Sequence, residues 1–205
     1  MRMIVRPLLR MGLYALLCVT AAAAAAGQQT KDYLTVPGPL QLAGAAYHLA
    51  WSSHPRPDFY KHEYVPQGQN VERYQSMLML DLLDDRSATP EQLLGIKVAE
   101  LERRKATDPV VHYTPLLSES KDQALLDFVL SATDAEGNTI VEWNAYRYVP
   151  SPAGHGVLMI GLSRRAYGDT EIRALFAQLK AARARDIEAL AAMPVPALKL
   201  RAETP

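Results

Sequence analysis

His62-Glu63 is the first pair in the chain whose residue types suit metal-assisted hydrolysis. The helical zinc motif needs a second histidine four residues after the first, and that position is Pro66, which also forbids a continuous helix there. His62 therefore reads as a strand histidine facing solvent or its neighbours. Gly161-Leu162-Ser163-Arg164-Arg165 approaches the nucleophile elbow of serine hydrolases, but Arg165 stands where the tight turn needs a small residue. Asp134, Glu136, Gly137 and Asn138 have the composition of a calcium loop with the glycine fourth instead of sixth. A hairpin turn accounts for the same residues. Neither a metal site nor a cofactor is expected. An acid–base hydrolase would have to draw on His62, Glu63, His48 or Asp58, and two of these would have to converge within hydrogen-bond reach.

The other chemistry on offer is anion binding. Arg147, Arg164 and Arg165, with Tyr167, are the candidate ligand residues, because a guanidinium matches carboxylate or phosphate through its planar fork. The competing expectation is that they pair with acids of the same molecule. Tyr60 and Tyr64 alternate on one strand and Tyr146 and Tyr148 on another, so each pair shares a face. Tyrosine is both an interface residue and a good strand former. The run Lys180–Arg185 (KAARAR) reads as the solvated face of a helix.

These residues sit in a chain of 205 with 22 basic and 22 acidic side chains and one cysteine. A neutral balance gives no electrostatic footprint for nucleic acid. One cysteine cannot build a disulfide framework or a thiolate metal site. Residues 1–26 read as a cleavable secretory signal peptide: Arg2, Arg6 and Arg10, then an apolar stretch, then the small residues Ala21–Ala26. The uncharged run Met11–Ala26 is 16 residues, short of the about 20 a spanning helix needs. Lipid anchoring at Cys18 is the lesser alternative, because Leu17 precedes it where a small residue is wanted. Cleavage would remove Cys18 and three arginines, leaving a thiol-free chain with a net charge of −3, suited to an oxidising compartment. The expected location is the periplasm or the medium, with no membrane span after cleavage.

Residues 27–32 read as a flexible N-terminus, 33–193 as one domain and 194–205 as a loose tail. The pattern predicts an edge strand at Tyr33–Val36, strands at Ala45–Trp51 and Phe59–Val65, and a loop between them at Ser52–Pro57, where two prolines lack donors. A strand at Met77–Leu83 follows. Thr89, Pro90 and Gln92 then form a capping box that starts a helix with Leu94, Val98 and Leu101 on one face and a Glu100–Arg104 pair outside. Strands are expected at Val110–Leu117, Ala124–Ala132, Thr139–Val149 and Val157–Leu162. In the third of these Val141, Trp143 and Ala145 face the core, Glu142 and Asn144 face water, and a bulge falls near Arg147. A final helix, capped by Asp169, runs from Thr170 to about Met193. Strands that follow one another without intervening helices make this an α+β protein: a mainly antiparallel sheet of about six or seven strands with two principal helices packed on it.

The segment Tyr60–Gln69 (YKHEYVPQGQ), leading into Tyr74 and an apolar strand, resembles uncharacterised secreted bacterial proteins of the PsbP-like and DcrB-like α/β sandwich type. The element order over Tyr33–Met193 is similar as well. The resemblance implies accessory or scaffolding roles and carries no shared catalytic residues. The expected function is an exported, non-catalytic binding or accessory protein whose partner is an envelope protein or a small anionic ligand. A small secreted hydrolase and a periplasmic immunity or inhibitor protein are the alternatives.

Overall fold

The computed structural model describes residues 30–201; residues 1–26, which read as a signal peptide and include Cys18, residues 27–29 and residues 202–205 lie outside them. The chain makes two four-stranded meanders. β1 (Leu40–Leu42), β2 (Ala45–Arg56), β3 (Phe59–Pro66) and β4 (Ser76–Leu83) form the first. Helix α1 (Pro90–Arg104) carries the chain across to β5 (His112–Leu117), and β6 (Ala124–Thr133), β7 (Thr139–Pro150) and β8 (Val157–Tyr167) return to the centre, followed by α2 (Gly168–Ala192). The eight strands form one sheet in the order β1-β2-β3-β4-β8-β7-β6-β5, every pairing antiparallel. The α+β class with two helices is as expected; the strand count is eight, not six or seven. The additional strand is β1, three residues long and paired only with Ala45–Tyr47, too short to leave an alternating pattern.

Each face of the sheet is covered differently. Leu78, Leu80 and Leu82 of β4 and Leu158, Ile160 and Leu162 of β8 alternate onto one face, where Leu190 and Met193 at the end of α2 cover them. On the opposite face Leu126 and Phe128 of β6 and Tyr148 of β7 pack under Leu94 and Leu101 of α1. The capping box of α1 forms as predicted: Gln92 N–H donates to Thr89 Oγ1 at 3.2 Å and Thr89 N–H to Gln92 Oε1 at 3.0 Å. The outer ion pairs differ from expectation, with Lys97–Glu100 and Arg104–Asp108 at 3.0 Å each in place of Glu100–Arg104. Asp108 draws Arg104 away because it is fixed by Ser131, whose N–H and Oγ both donate to it.

Other departures have local causes. β2 continues to Arg56 through the proline segment because its register shifts between Ser53 and Arg56, so Pro55 falls in an irregularity that needs no ladder donor. The register of β7 is continuous through Arg147 on both sides, so no bulge lies there. Helix α2 begins at Gly168, not Thr170; its N-cap is Tyr167, whose N–H donates to Glu171 Oε2 at 3.1 Å, and Asp169 does not cap it. Asn144 does not face water: it is fully buried on β7, on the face where α1 covers β6 and β7.

The two ends of the described chain meet. In place of an edge strand, Asp32–Val36 form a strap across the apolar face, with Leu34 fully buried. Lys199 N–H donates to Leu34 O at 3.1 Å and Arg201 N–H to Tyr33 O at 2.9 Å. Leu198 is buried in the same cluster, so residues 194–201 are packed, not loose. Leu198→Ala is therefore expected to cost about 3 kcal/mol in urea unfolding, as for other buried leucines. A change within about 0.5 kcal/mol, the size of a surface effect, would mean that the segment does not contribute to the core.

Candidate functional site

Adjacent residues of a strand point to opposite faces, and β3 uses this to separate His62 from Glu63. His62 lies on the apolar face and is fully buried. Its Nε2 accepts the Tyr33 N–H at 3.1 Å, so that nitrogen carries no proton. Nδ1 then donates to Tyr64 Oη at 3.0 Å, and Tyr64 donates to Val36 O at 2.7 Å. Burial drives the pKa of His62 down to about 4, with Asp32 at 3.9 Å opposing the shift. This histidine holds the strap and faces its neighbours, not solvent. His48 is exposed on β2 and Asp58 pairs with Arg56 at 3.2 Å in the turn between β2 and β3. The histidines and carboxylates open to a hydrolase do not converge.

The α1 face of the central strands is polar, and the register fixes its layout. Lys61 lies opposite Asp81, and Asp81 opposite Met159. In the next row Glu63 lies opposite Met79, Met79 opposite Gly161 and Gly161 opposite Tyr146. Ser163 then faces Asn144, and Arg165 faces Glu142. A Cβ at Gly161 would come 3.0 Å from Met79 Cε and Met159 Sδ and 3.1 Å from Tyr146 Cδ1. The glycine makes room for these side chains within a continuous strand. Ser163, fully buried and 3.1 Å from Tyr74 Oη, is not held on an elbow. Helix α1 packs on β5, β6 and β7, so β3 and β4 present this face without a helix of their own.

The charges on this floor nearly all pair. Lys61 Nζ lies 3.6 Å from Asp81 Oδ2, Lys97 on the border of α1 lies 3.0 Å from Glu100, and Arg165 lies 2.6 Å from Glu142. Burial alone would lower the pKa of Arg165, yet Glu142 beside it holds it above the ordinary value. The remaining charge is Glu63, a partly buried carboxyl with no hydrogen bond or ion pair among the described residues. Burial raises its pKa to about 7; Lys61 and Arg165 work against this, and Asp81 and Glu142 reinforce it. Burial raises Asp81 too, with Lys61 opposing, and its Oδ1 is enclosed without a hydrogen-bond partner among the described residues. Asn144 is fully buried with neither amide atom paired among them.

The four predicted ligand residues do not form one cluster: Arg147 and Arg164 lie on the α2 face with different partners, while Arg165 and Tyr167 share the other face and both touch Tyr74. Arg147 lies on the α2 face, where it donates to Met193 O at 2.7 Å and Leu190 O at 3.3 Å, closing the end of α2. Arg164, on the same face, binds the buried Asp186 at 2.9 Å. Arg165 is on the other face with Glu142, its guanidinium 4.1 Å from the centre of the Tyr74 ring. Tyr167 exchanges hydrogen bonds with the backbone of Tyr74 at 3.1 and 3.2 Å and lines a cavity of about 170 Å³ beside Arg73 and Glu171. Within the basic run of α2, Arg183 reaches back to Asp127, which also accepts the Trp143 indole N–H at 2.6 Å. Tyr60 and Tyr64 share the apolar face and Tyr146 and Tyr148 the other, as the alternation predicts. In the turn after β6, Asp134 accepts from the Asn138 and Glu136 N–H groups, so the hairpin itself uses the carboxylate.

Fold and floor together define a two-helix α+β protein with an eight-stranded antiparallel sheet, apolar on one face and polar at the centre of the other. A family model matches residues 34–195, and the chain belongs to that family, whose function is uncharacterised. No curated protein and no solved structure matches the chain, PsbP-like and DcrB-like proteins included.

His62 and Glu63 have opposite effects on stability. A histidine whose folded pKa is depressed loses stability as pH falls below its unfolded value of 6.5, until about 4. A carboxyl whose folded pKa is raised contributes its stability below its unfolded value of 4.5 and loses it as pH rises through about 7. The two slopes cancel between pH 4.5 and 6.5. Glu63→Gln should therefore match the wild type near pH 4 and become more stable by about 3 kcal/mol above pH 7, since each tenfold change in proton affinity is worth about 1.4 kcal/mol. Urea unfolding at a series of pH values measures this, and parallel curves for the two proteins would contradict the assignment.

Proposed function

We propose that the protein is an exported, non-catalytic binding protein that receives a small ligand on the β3–β4 half of its polar sheet face. The observation that carries this is Glu63. An unpaired, partly buried carboxyl lowers stability at neutral pH, and such a group is retained where a ligand uses it. Export is supported by the basic, apolar and small-residue zones of residues 1–26 and by the packing of Thr30, whose Oγ1 donates to Ala50 O. No described helix is long and apolar enough to cross a membrane. The hydrolase alternative has no support in the positions of His48, Asp58, His62 and Glu63.

Native mass spectrometry of the protein from its own host's envelope tests both parts. The expected spectrum shows a chain beginning at Gly27 and carrying a non-covalent small-molecule adduct that Glu63→Gln loses. A cytosolic chain that retains residues 1–26 would remove the export proposal, and a wild-type chain without adduct would remove the binding proposal.

A further inference from the structure

The charge pattern on the β3–β4 floor points to the class of ligand. Each of its cations already has a carboxylate: Lys61 has Asp81, Lys97 has Glu100 and Arg165 has Glu142. An anionic ligand would have to displace one of these. The unmet capacity is on the acidic side, in the carboxyl of Glu63 and the enclosed Oδ1 of Asp81, on adjacent strands and one row apart. The lining between and beside them is soft and apolar. Met79 lies opposite Glu63, Met159 lies opposite Asp81, and both side chains fill the space above Gly161. Tyr146 closes the row, its ring edge-on to Phe128 at 4.9 Å and to Tyr148 at 6.3 Å.

A second observation is independent of the acids. On the same face, one row beyond Tyr146, Asn144 is fully buried and neither its Nδ2 nor its Oδ1 has a partner among the described residues. A buried amide left unpaired is costly. Donor and acceptor capacity of this kind is met by a bound molecule or an ordered water. Asn144 stands three strands from Glu63, about 14 Å at the usual strand spacing. The floor therefore offers an anionic end, an apolar middle and a neutral polar end.

We propose that this floor binds an elongated organic cation, an amine or guanidinium whose charge is neutralised by Glu63, with one donor on Asp81 Oδ1, the chain across Met79 and Met159, and the far end toward Asn144. This rests on the proposed binding role of the same face and specifies its ligand. The cation would supply the positive partner that Glu63 lacks, so binding would weaken as Glu63 takes up a proton below neutral pH.

Two of the floor methionines, Met79 and Met159, report directly. With methionine methyls labelled by ¹³C, the protein is titrated at pH 8 with n-butylammonium, n-butyrate and n-butanol as probes of one length and three charges. The expected result is saturable shifts of the Met79 and Met159 methyls with n-butylammonium alone, at least tenfold weaker in Glu63→Gln and Asp81→Asn, and weaker in the wild type at pH 5.5. Saturable shifts with butyrate or butanol instead would overturn the cation and leave the face as a binding site. Silence of both methyls to all three probes would overturn the binding role as well. Equal affinity in Glu63→Gln would place the cation elsewhere.

Discussion

The antiparallel pairing of β4 with β8 is the joint on which the rest depends. It unites two meanders, each of which would otherwise end on an open edge, and its register runs unbroken from Ser76 opposite Arg164 to Leu83 opposite Val157. Being central, both strands bury side chains on both faces, in two different environments. Leucine and isoleucine fill one face, while methionine, glycine, serine, an aspartate and an arginine occupy the other. The apolar set holds the protein together; the polar set lacks the same freedom to vary, because each charge there must be matched inside the sheet.

That division explains how α2 and the strap share one face. The arginines at its edges are structural. Arg147 satisfies carbonyls that the last turn of α2 leaves without intrahelical partners, and Arg164 neutralises a buried aspartate. Trp143, Asp127 and Arg183 tie α2 to the second meander in the same way. Pairing of this kind makes poor ligand sites of these arginines, since an incoming anion would have to compete with a partner already in place.

The long alternating strands and the capping box of α1 are legible in the sequence, because periodicity and cap chemistry are local. β1 is not, since three residues carry no period. The strap is not, since its seat against His62 and Lys199 is made by residues 29 and 164 positions away. The candidate site is hidden for a related reason. Glu63 sits next to His62 in sequence and across the sheet from it in space, and its neighbours Asp81, Met159 and Gly161 come from β4 and β8. Residue type alone groups the arginines; strand alternation sends Arg164 and Arg165 to opposite faces, and β8 runs through Tyr167 where an apolar run ending at Leu162 suggests a shorter strand. Asn144 reads as solvent-facing because a polar residue between Trp143 and Ala145 ordinarily is; only the cover on that side of the sheet makes it a buried amide.

The bridge between Leu34 and Lys199 also bears on when the fold can be completed. Contacts at a separation of about 165 residues lie at the far end of the sequence scale, and loop-closure entropy must be met before they form. A chain that emerges N-terminus first, from a ribosome or through a membrane pore, holds Leu34 and Val36 without their C-terminal cover until Leu198 and Lys199 have followed. The last step of assembly is then fixed by chain polarity: the strap can be clamped only when the chain has passed as far as Leu198 and Lys199, and the core stays open for as long as that passage takes.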